Sequence, residues 1–401
     1  MSMFEVLVLP IDSVYDHPGA DRLSICRIRG YEAITAKDEM GNHRFAAGEL
    51  VVYVPENAVI PLDVLKDRGY CNENGQGMLA GSQGNRVRAI RLRNVVSQGL
   101  VWKVEKHVNE QEEEFYSVKK PMRIAALGTN SYSEIPVELY SNVAEFFGIQ
   151  KYEEPIPSSM SGQLFACHKA QFSYDIENWQ NYPEFLANDE VEVLEKIHGS
   201  HVRISYIPGL NNPEAFANGD VVISSKGLGA KGLVFKNVEE NIQSNLYVRT
   251  VLESGFIERM IAHCDRTFAG APVHILGEVF GRGVQDLHYG AQKPTFRAFD
   301  MAVLFNGNVS YMDTDRKIAN FAAMGIERPP VLYRGPWDLE ILTQLRDGVT
   351  LVGGGNIREG IVITSTGDQS PRMADEKHTL RPILKMVSPV YLTRKGGTEL
   401  Q

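Results

Sequence analysis

Apolar positions in the first hundred residues come in short β-branched runs: FEVLVLPIDSVY, LSICRIRGYEAIT, ELVVYVP, RVRAIRLRNVV and GLVWKV. Gly, Pro, Asn or Asp divides each from the next. Runs of that length between such breakers predict strands. Five or so of them within residues 1–104 predict a small closed or partly open barrel of the OB type. Residues 105–165 are less regular. They hold an acidic run, Glu110-Gln111-Glu112-Glu113-Glu114, an amphipathic helical spacing over Val137 to Phe147, and the linker-like Pro155-Ile156-Pro157-Ser158-Ser159-Met160-Ser161-Gly162. The main domain boundary is placed in that Pro/Ser stretch.

From 166 to 401 the pattern is mixed. Strand-like runs (VEVLEKI, HVRISYI, VVISSK, LVFKNV, VHILGEVFG, FRAFDMAVLF, GIVITS, PILKMVS) are interspersed with helix-compatible segments around Asn245 to Asp265, Thr314 to Met324 and Pro336 to Asp347. Strict strand–helix alternation is lacking, so the expected class is α+β, with antiparallel sheets and helices packed on them. No internal repeat is present.

Composition narrows the function. At 401 residues, 43% hydrophobic and 23% charged, the chain has the make-up of a soluble globular protein with room for two or three cores. No apolar run approaches the roughly 18 to 20 residues of a spanning helix, and the N-terminus has no basic region before its first strand. Cys26, Cys71, Cys167 and Cys264 are scattered, without a Cys-x-x-Cys pair, which suits a reducing, cytoplasmic setting. A net charge of −9 argues against non-specific coating of nucleic acid, though not against a local basic groove. One candidate groove is Arg86, Arg88, Arg91 and Arg93. On one strand, Arg86 and Arg88 share a face and Arg91 and Arg93 the other, unless a bulge intervenes. Such a strand reads equally as a charged edge that resists aggregation or as a nucleic-acid contact.

The chemistry centres on Glu195-Lys196-Ile197-His198-Gly199-Ser200, a lysine between two strand-like runs. Alone it would be a solvated turn. Later strand ends supply partners: Ser225-Lys226-Gly227, Gly277-Glu278, Phe299-Asp300, Arg358-Glu359-Gly360-Ile361-Val362 and Leu384-Lys385. No Gly-x-x-x-x-Gly-Lys phosphate loop and no His-Glu-x-x-His zinc helix is present.

In this order the segments resemble the motif series of the covalent nucleotidyltransferases, most closely the ATP-dependent, nick-sealing RNA ligases with an N-terminal OB module. The resemblance covers nearly the whole chain. Asp16 to Leu23 and Gly48 to Pro55 also resemble the tRNA-binding OB modules of some aminoacyl-tRNA synthetases. The resemblance implies ATP, a divalent metal (Mg2+ or Mn2+) and RNA or an RNA-containing nicked duplex, with no membrane and no protein partner. It assigns Lys196 as the nucleophile that carries AMP, an amine made reactive by a lowered pKa. Lys385 places positive charge against the α-phosphate. Glu278 and Glu359 hold the metal, or Glu278 meets the ribose. Phe299 stacks on adenine, Glu195 lines the adenine pocket, and Ile197, Gly199 and Lys226 complete the ATP site.

Two departures stand out. Lys385-Met386-Val387 lacks the second lysine of the usual Lys-x-Lys, and His198 stands where many ligases have Asp. An imidazole does not supply the same anionic contact to metal waters, which leaves Glu278 and Glu359 to carry that role. Lys226 keeps the charge of the arginine common at its place and loses the bidentate fork. The expected function is an ATP-dependent RNA ligase. The alternatives are a nucleic-acid-binding protein with an inactive nucleotidyltransferase domain, and a DNA ligase. Only residues 386–401 follow Lys385, too few for the C-terminal OB domain that a DNA ligase would carry.

Overall fold

The computed structural model describes residues 4–122, 131–305 and 308–397. The chain divides into two compact units, residues 3–153 and 154–401.

The first unit is built round an antiparallel sheet in the order Leu7–Pro10, Leu50–Val54, Leu100–Lys103. Its central strand, LVVYV, is a continuous apolar run, so both faces need cover. Val51, Tyr53, Leu9 and Val101 pack with Cys26, Ile28 and Ala33 from the meander Ser13–Asp16, Leu23–Ile28, Tyr31–Ala36. Val8, Val52, Val54 and Trp102 face the other way, against Val118, Val137, Val143, Phe147 and Ile149. The stretch after 104 therefore completes the core of this unit. It forms a second antiparallel sheet of Glu105–Val108, Glu114–Met122 and Ser131–Val137, where sequence reading expected irregular connection. The helix expected over 137–147 shrinks to Ala144–Phe147. Val137 ends a strand, and Tyr140, at φ +67°, turns the chain before the helix begins.

In the second unit two five-stranded sheets carry the fold. One runs Glu177–Asn178, Ile383–Val387, Gly360–Ser365, Glu190–Lys196, Val331–Pro336; the other runs Val221–Ser225, Ser200–Tyr206, Val273–Phe280, Thr295–Phe305, Asn308–Tyr311. Pairing is antiparallel except between Glu177–Asn178 and Ile383–Val387. The expected α+β class is what the chain adopts. Val202, Ile204, Val273, Ile275 and Met301 face the helices Leu246–Glu253, Ile257–Thr267 and Thr314–Met324. Val191, Val193, Ile361, Ile363 and Leu384 face Leu342 of the helix Leu339–Arg346. The helical stretch expected over 245–265 is two helices, because Gly255 at φ +67° breaks it. Asp313 and Asp338 cap the other two: each side chain accepts from backbone N–H groups of the first turn. Among the described residues no helix is long and apolar enough to cross a membrane.

Candidate active site

Strand alternation sorts the chemistry from the core. With Val202 and Ile204 committed to the helices, His201 and Arg203 project from the opposite face of their strand. The same parity puts His274 and Glu278 on that face of the neighbouring strand. On the other sheet Val193 and Ile363 point to the outer core, so Leu194, Lys196, Val362 and Lys385 share the inner face. Lys196 ends a strand of one sheet and Ser200 begins a strand of the other, and residues 197–199 are the link between them.

Lys196 Nζ lies 2.6 Å from Glu359 Oε1, and its side chain keeps 27% of its exposure. Adjacent strands produce this pair, since Lys196 is in register with Gly360. The second carboxylate oxygen of Glu359 is buried and has no hydrogen-bond partner. Burial pushes the Glu278 carboxyl up to about 8; Lys196 and Lys226 pull it down and Glu359 pushes it further up. Burial likewise lowers Lys385 to about 8, helped by Lys196 and Lys226 and opposed by Glu177 and Asp175. Glu278 is thus within electrostatic reach of Lys196, Lys226 and Glu359, and Lys385 within reach of Lys196 and Lys226.

Gly199 is required by close approach. A Cβ there would overlap the Val279 carbonyl oxygen and come within 2.8 Å of the Glu278 side chain. Phe299 is set by a bulge: Leu276 pairs with Asp300 and Gly277 with Ala298, which leaves Phe299 as the extra residue. Its ring stands 5.3 Å from His201 and 5.9 Å from Tyr174. Next to it Asp300 is held down to about 2, against burial, by Arg381 and Lys317. Lys317 approaches it at 3.2 Å, and the Tyr174 hydroxyl donates to it at 2.9 Å.

Four expectations need correction. The Glu195 carboxylate faces away from Lys196: it accepts from the Thr350 hydroxyl and, at 2.8 Å, from Leu351 N–H, with Arg358 3.7 Å away. Ile197 is core, packed with Phe280, Leu287, Tyr289 and Tyr391. Arg86 is buried; its guanidinium donates to Asn57 Oδ1 and lies 3.6 Å from the Tyr152 ring centroid. The four arginines do not share one strand. Only Arg91 lies within Ile90–Leu92, which turns through Arg93-Asn94, both at positive φ, into Val95–Ser97. A two-residue turn of that kind is the usual hairpin link. Arg91 and Arg93 are exposed and Arg88 is half-buried.

Sequence reading missed the surroundings of His198. Its Nε2 is 2.8 Å from Asp286 Oδ1 and its Nδ1 is 2.7 Å from the Tyr391 hydroxyl. Arg394 grips the same Asp286 at 2.9 and 3.0 Å. The anionic group absent at position 198 thus stands directly behind the histidine. Asp286 and Arg394 lie in irregular stretches with no periodic pattern to mark them.

Among the described residues, Glu278 and Glu359 are two carboxylates without a third close ligand. Among the described residues the group of three close enough to hold a metal is Glu105, His107 and Glu134, in the first unit. Lys119 already pairs with Glu105 and Glu134 there.

Comparison with known proteins identifies the domains and the fold. Residues 189–387 match the RNA ligase family, and residues 6–104 match an OB-fold domain. Among curated proteins none matches by sequence. The fold is similar to that of the Naegleria gruberi RNA ligase. A mutant of that protein with AMP and Mn aligns at TM-score 0.67, 18% identity, over 97% of this chain and 98% of that one. The same ligase with PPi aligns at TM-score 0.66 and 18% identity, with the same coverage. With the ligase match spanning every strand of the two five-stranded sheets except Glu177–Asn178, and the OB-fold match on the other unit, the chain carries an RNA ligase family domain over residues 189–387 and an N-terminal OB-fold domain.

Proposed function

We propose that this RNA ligase uses ATP to join 3′-hydroxyl and 5′-phosphate ends at nicks in RNA-containing duplexes, through AMP carried on Lys196. The observation that supports it best is the convergence of Lys196, Glu359, Glu278, Lys226 and Lys385 on one space between the sheets.

The steps use these residues. Lys196 Nζ, deprotonated, attacks the α-phosphorus of ATP; the P–N bond forms and the bond to pyrophosphate breaks. The 5′-phosphate oxygen of an RNA end then attacks the same phosphorus and releases the Lys196 amine. Finally the 3′-hydroxyl attacks the activated 5′-phosphorus, losing its proton, and AMP leaves. Lys385 and Lys226 offset the negative charge of the phosphates. Phe299, with His201 and Tyr174 beside it, offers an aromatic face to adenine.

A divalent cation fits the donor set. Glu359 has one buried oxygen without a partner, and Glu278 is a second carboxylate whose proton a cation would displace. Such an ion would screen the phosphates and lower the pKa of Lys196. A structure of a mutant Naegleria gruberi RNA ligase with ATP and Mn is consistent with that reading. Arg91 and Arg93 are the exposed basic residues offered to nucleic acid by the OB-fold domain.

Incubation of nicked duplexes with ATP and Mg2+ or Mn2+, with RNA or DNA placed on either side of the nick, tests the function. Sealing that requires ribonucleotides at the 3′ side supports it. Equal sealing of all-DNA nicks favours the DNA ligase alternative, and no sealing of any duplex contradicts the nick-joining reading.

A further inference from the structure

The segment 168–178 lies before the stretch that matches the RNA ligase family, and the sequence analysis singled out none of its residues. It is nevertheless fastened along the inner face. Arg203, fully buried, donates to the Ala170 carbonyl at 3.2 Å and lies 3.6 Å from the Phe172 ring centroid. The Tyr174 hydroxyl donates to Asp300, and Glu177 and Asn178 pair with Leu384 and Lys385. Asp175 sits between these anchors. Its carboxylate, 16% exposed, is 2.6 Å from Lys226 Nζ.

A carboxylate is repelled by phosphate oxygens unless a cation lies between them. On one side of Asp175 is Tyr174, whose ring adjoins Phe299, where the base would stack. On the other are Glu177 and Lys385, where the α-phosphate would lie. A carboxylate between base and phosphate meets the sugar, whose hydroxyls donate hydrogen bonds. The adjoining Lys226 ammonium donates to the same hydroxyl oxygens. A lysine lacks the fixed fork of arginine, and an aspartate beside it holds the ammonium in place and adds an acceptor.

We propose that Asp175 recognises the ribose of the nucleotide, as acceptor for its vicinal hydroxyls, with Lys226 as the paired donor. This rests on the ATP-site reading above. The test is equilibrium binding of AMP, 2′-deoxyAMP and 3′-deoxyAMP to the full chain, for the parent, Asp175→Asn and Lys226→Met, with labelling by ATP measured alongside. The parent should prefer AMP over at least one deoxy analogue by about 10-fold or more, the size of a hydrogen bond to a charged group. Asp175→Asn should lose that preference and hold the deoxy analogue about as tightly as the parent does; Lys226→Met should lose it too. Equal weakening of all three ligands by Asp175→Asn, unchanged discrimination, or a parent that does not discriminate would each overturn the proposal. A parent that discriminates in the expected way but takes no label from ATP leaves Asp175 in its role and overturns the ligase reading. A parent that binds no AMP overturns both.

Discussion

Glu359 meets Lys196 at 2.6 Å through one carboxylate oxygen while its other oxygen is buried without a partner. The carboxylate is therefore placed both to hold Lys196 and to contact a cation. Glu359→Gln should raise the metal concentration needed for half-maximal labelling of Lys196 by about 10- to 100-fold, the usual cost of losing such a contact. A metal titration of labelling by the parent and the variant checks this; an unchanged midpoint would count against the shared role.

Glu278 gives a pH signature. Its folded value, about 8, lies above its ordinary 4.5, so the folded chain binds a proton that the unfolded chain has released between those limits. Its contribution to stability is full below 4.5 and is lost as pH rises through 8. Lys385 has the opposite sign: lowered from 10.5 to about 8, it makes stability rise with pH across that window. Urea midpoints from pH 5 to 8 should fall more steeply for the parent than for Glu278→Gln. Calorimetry in buffers of different ionisation enthalpy should show protons released when Mg2+ or Mn2+ binds near pH 7.

Asp286 is expected to act through His198. Asp286→Asn removes the anion behind the imidazole and weakens the grip of Arg394, so the link between Lys196 and Gly199 loses its fixed geometry. Labelling of Lys196 should slow by about 10-fold or more, as for other contacts that orient a site. ATP affinity should be nearly unchanged. A loss of affinity with unchanged rate would place Asp286 at the nucleotide instead.

The arginines of the first unit separate by burial. Arg86→Ala should destabilise that unit by about 1–3 kcal/mol, because it removes hydrogen bonds to Asn57 and the stack on Tyr152. Arg91→Ala and Arg93→Ala should change stability by no more than about 0.5 kcal/mol. Each should lower the salt dependence of RNA binding by roughly one phosphate contact. Thermal melts and binding across a salt series read both effects.

The legible parts of this chain are those with a local pattern. Short β-branched runs marked the strands, and the segment expected around Thr314 to Met324 is a helix, capped by Asp313 and ended by Gly325. The candidate site residues were picked out by their order along the chain: Lys196 ends a strand, Lys226 and Glu359 flank strands, Phe299 sits at a bulge, and Glu278 and Lys385 lie within strands. What failed was direction and context. Glu195 and Lys196 are adjacent, and a strand points them to opposite faces. Arg86 looked like its exposed neighbours until Tyr152 and Asn57 were placed around it. The acidic run and irregular spacing after 104 hid three strands, because the apolar face they cover belongs to residues 50–54. Asp175 and Asp286 lie in loops that only long-range packing brings to the site.

The central claim is that Lys196 carries AMP. Its most direct test is incubation of the full chain with ATP labelled on the α-phosphate and a divalent metal, followed by denaturation and peptide mapping, for the parent and Lys196→Ala. The account predicts acid-labile label on the parent, located on Lys196, and none on the variant. Label elsewhere, or equal label on both, would contradict the assignment of the nucleophile, and no label on the parent at any ATP or metal concentration would contradict the ligase mechanism itself.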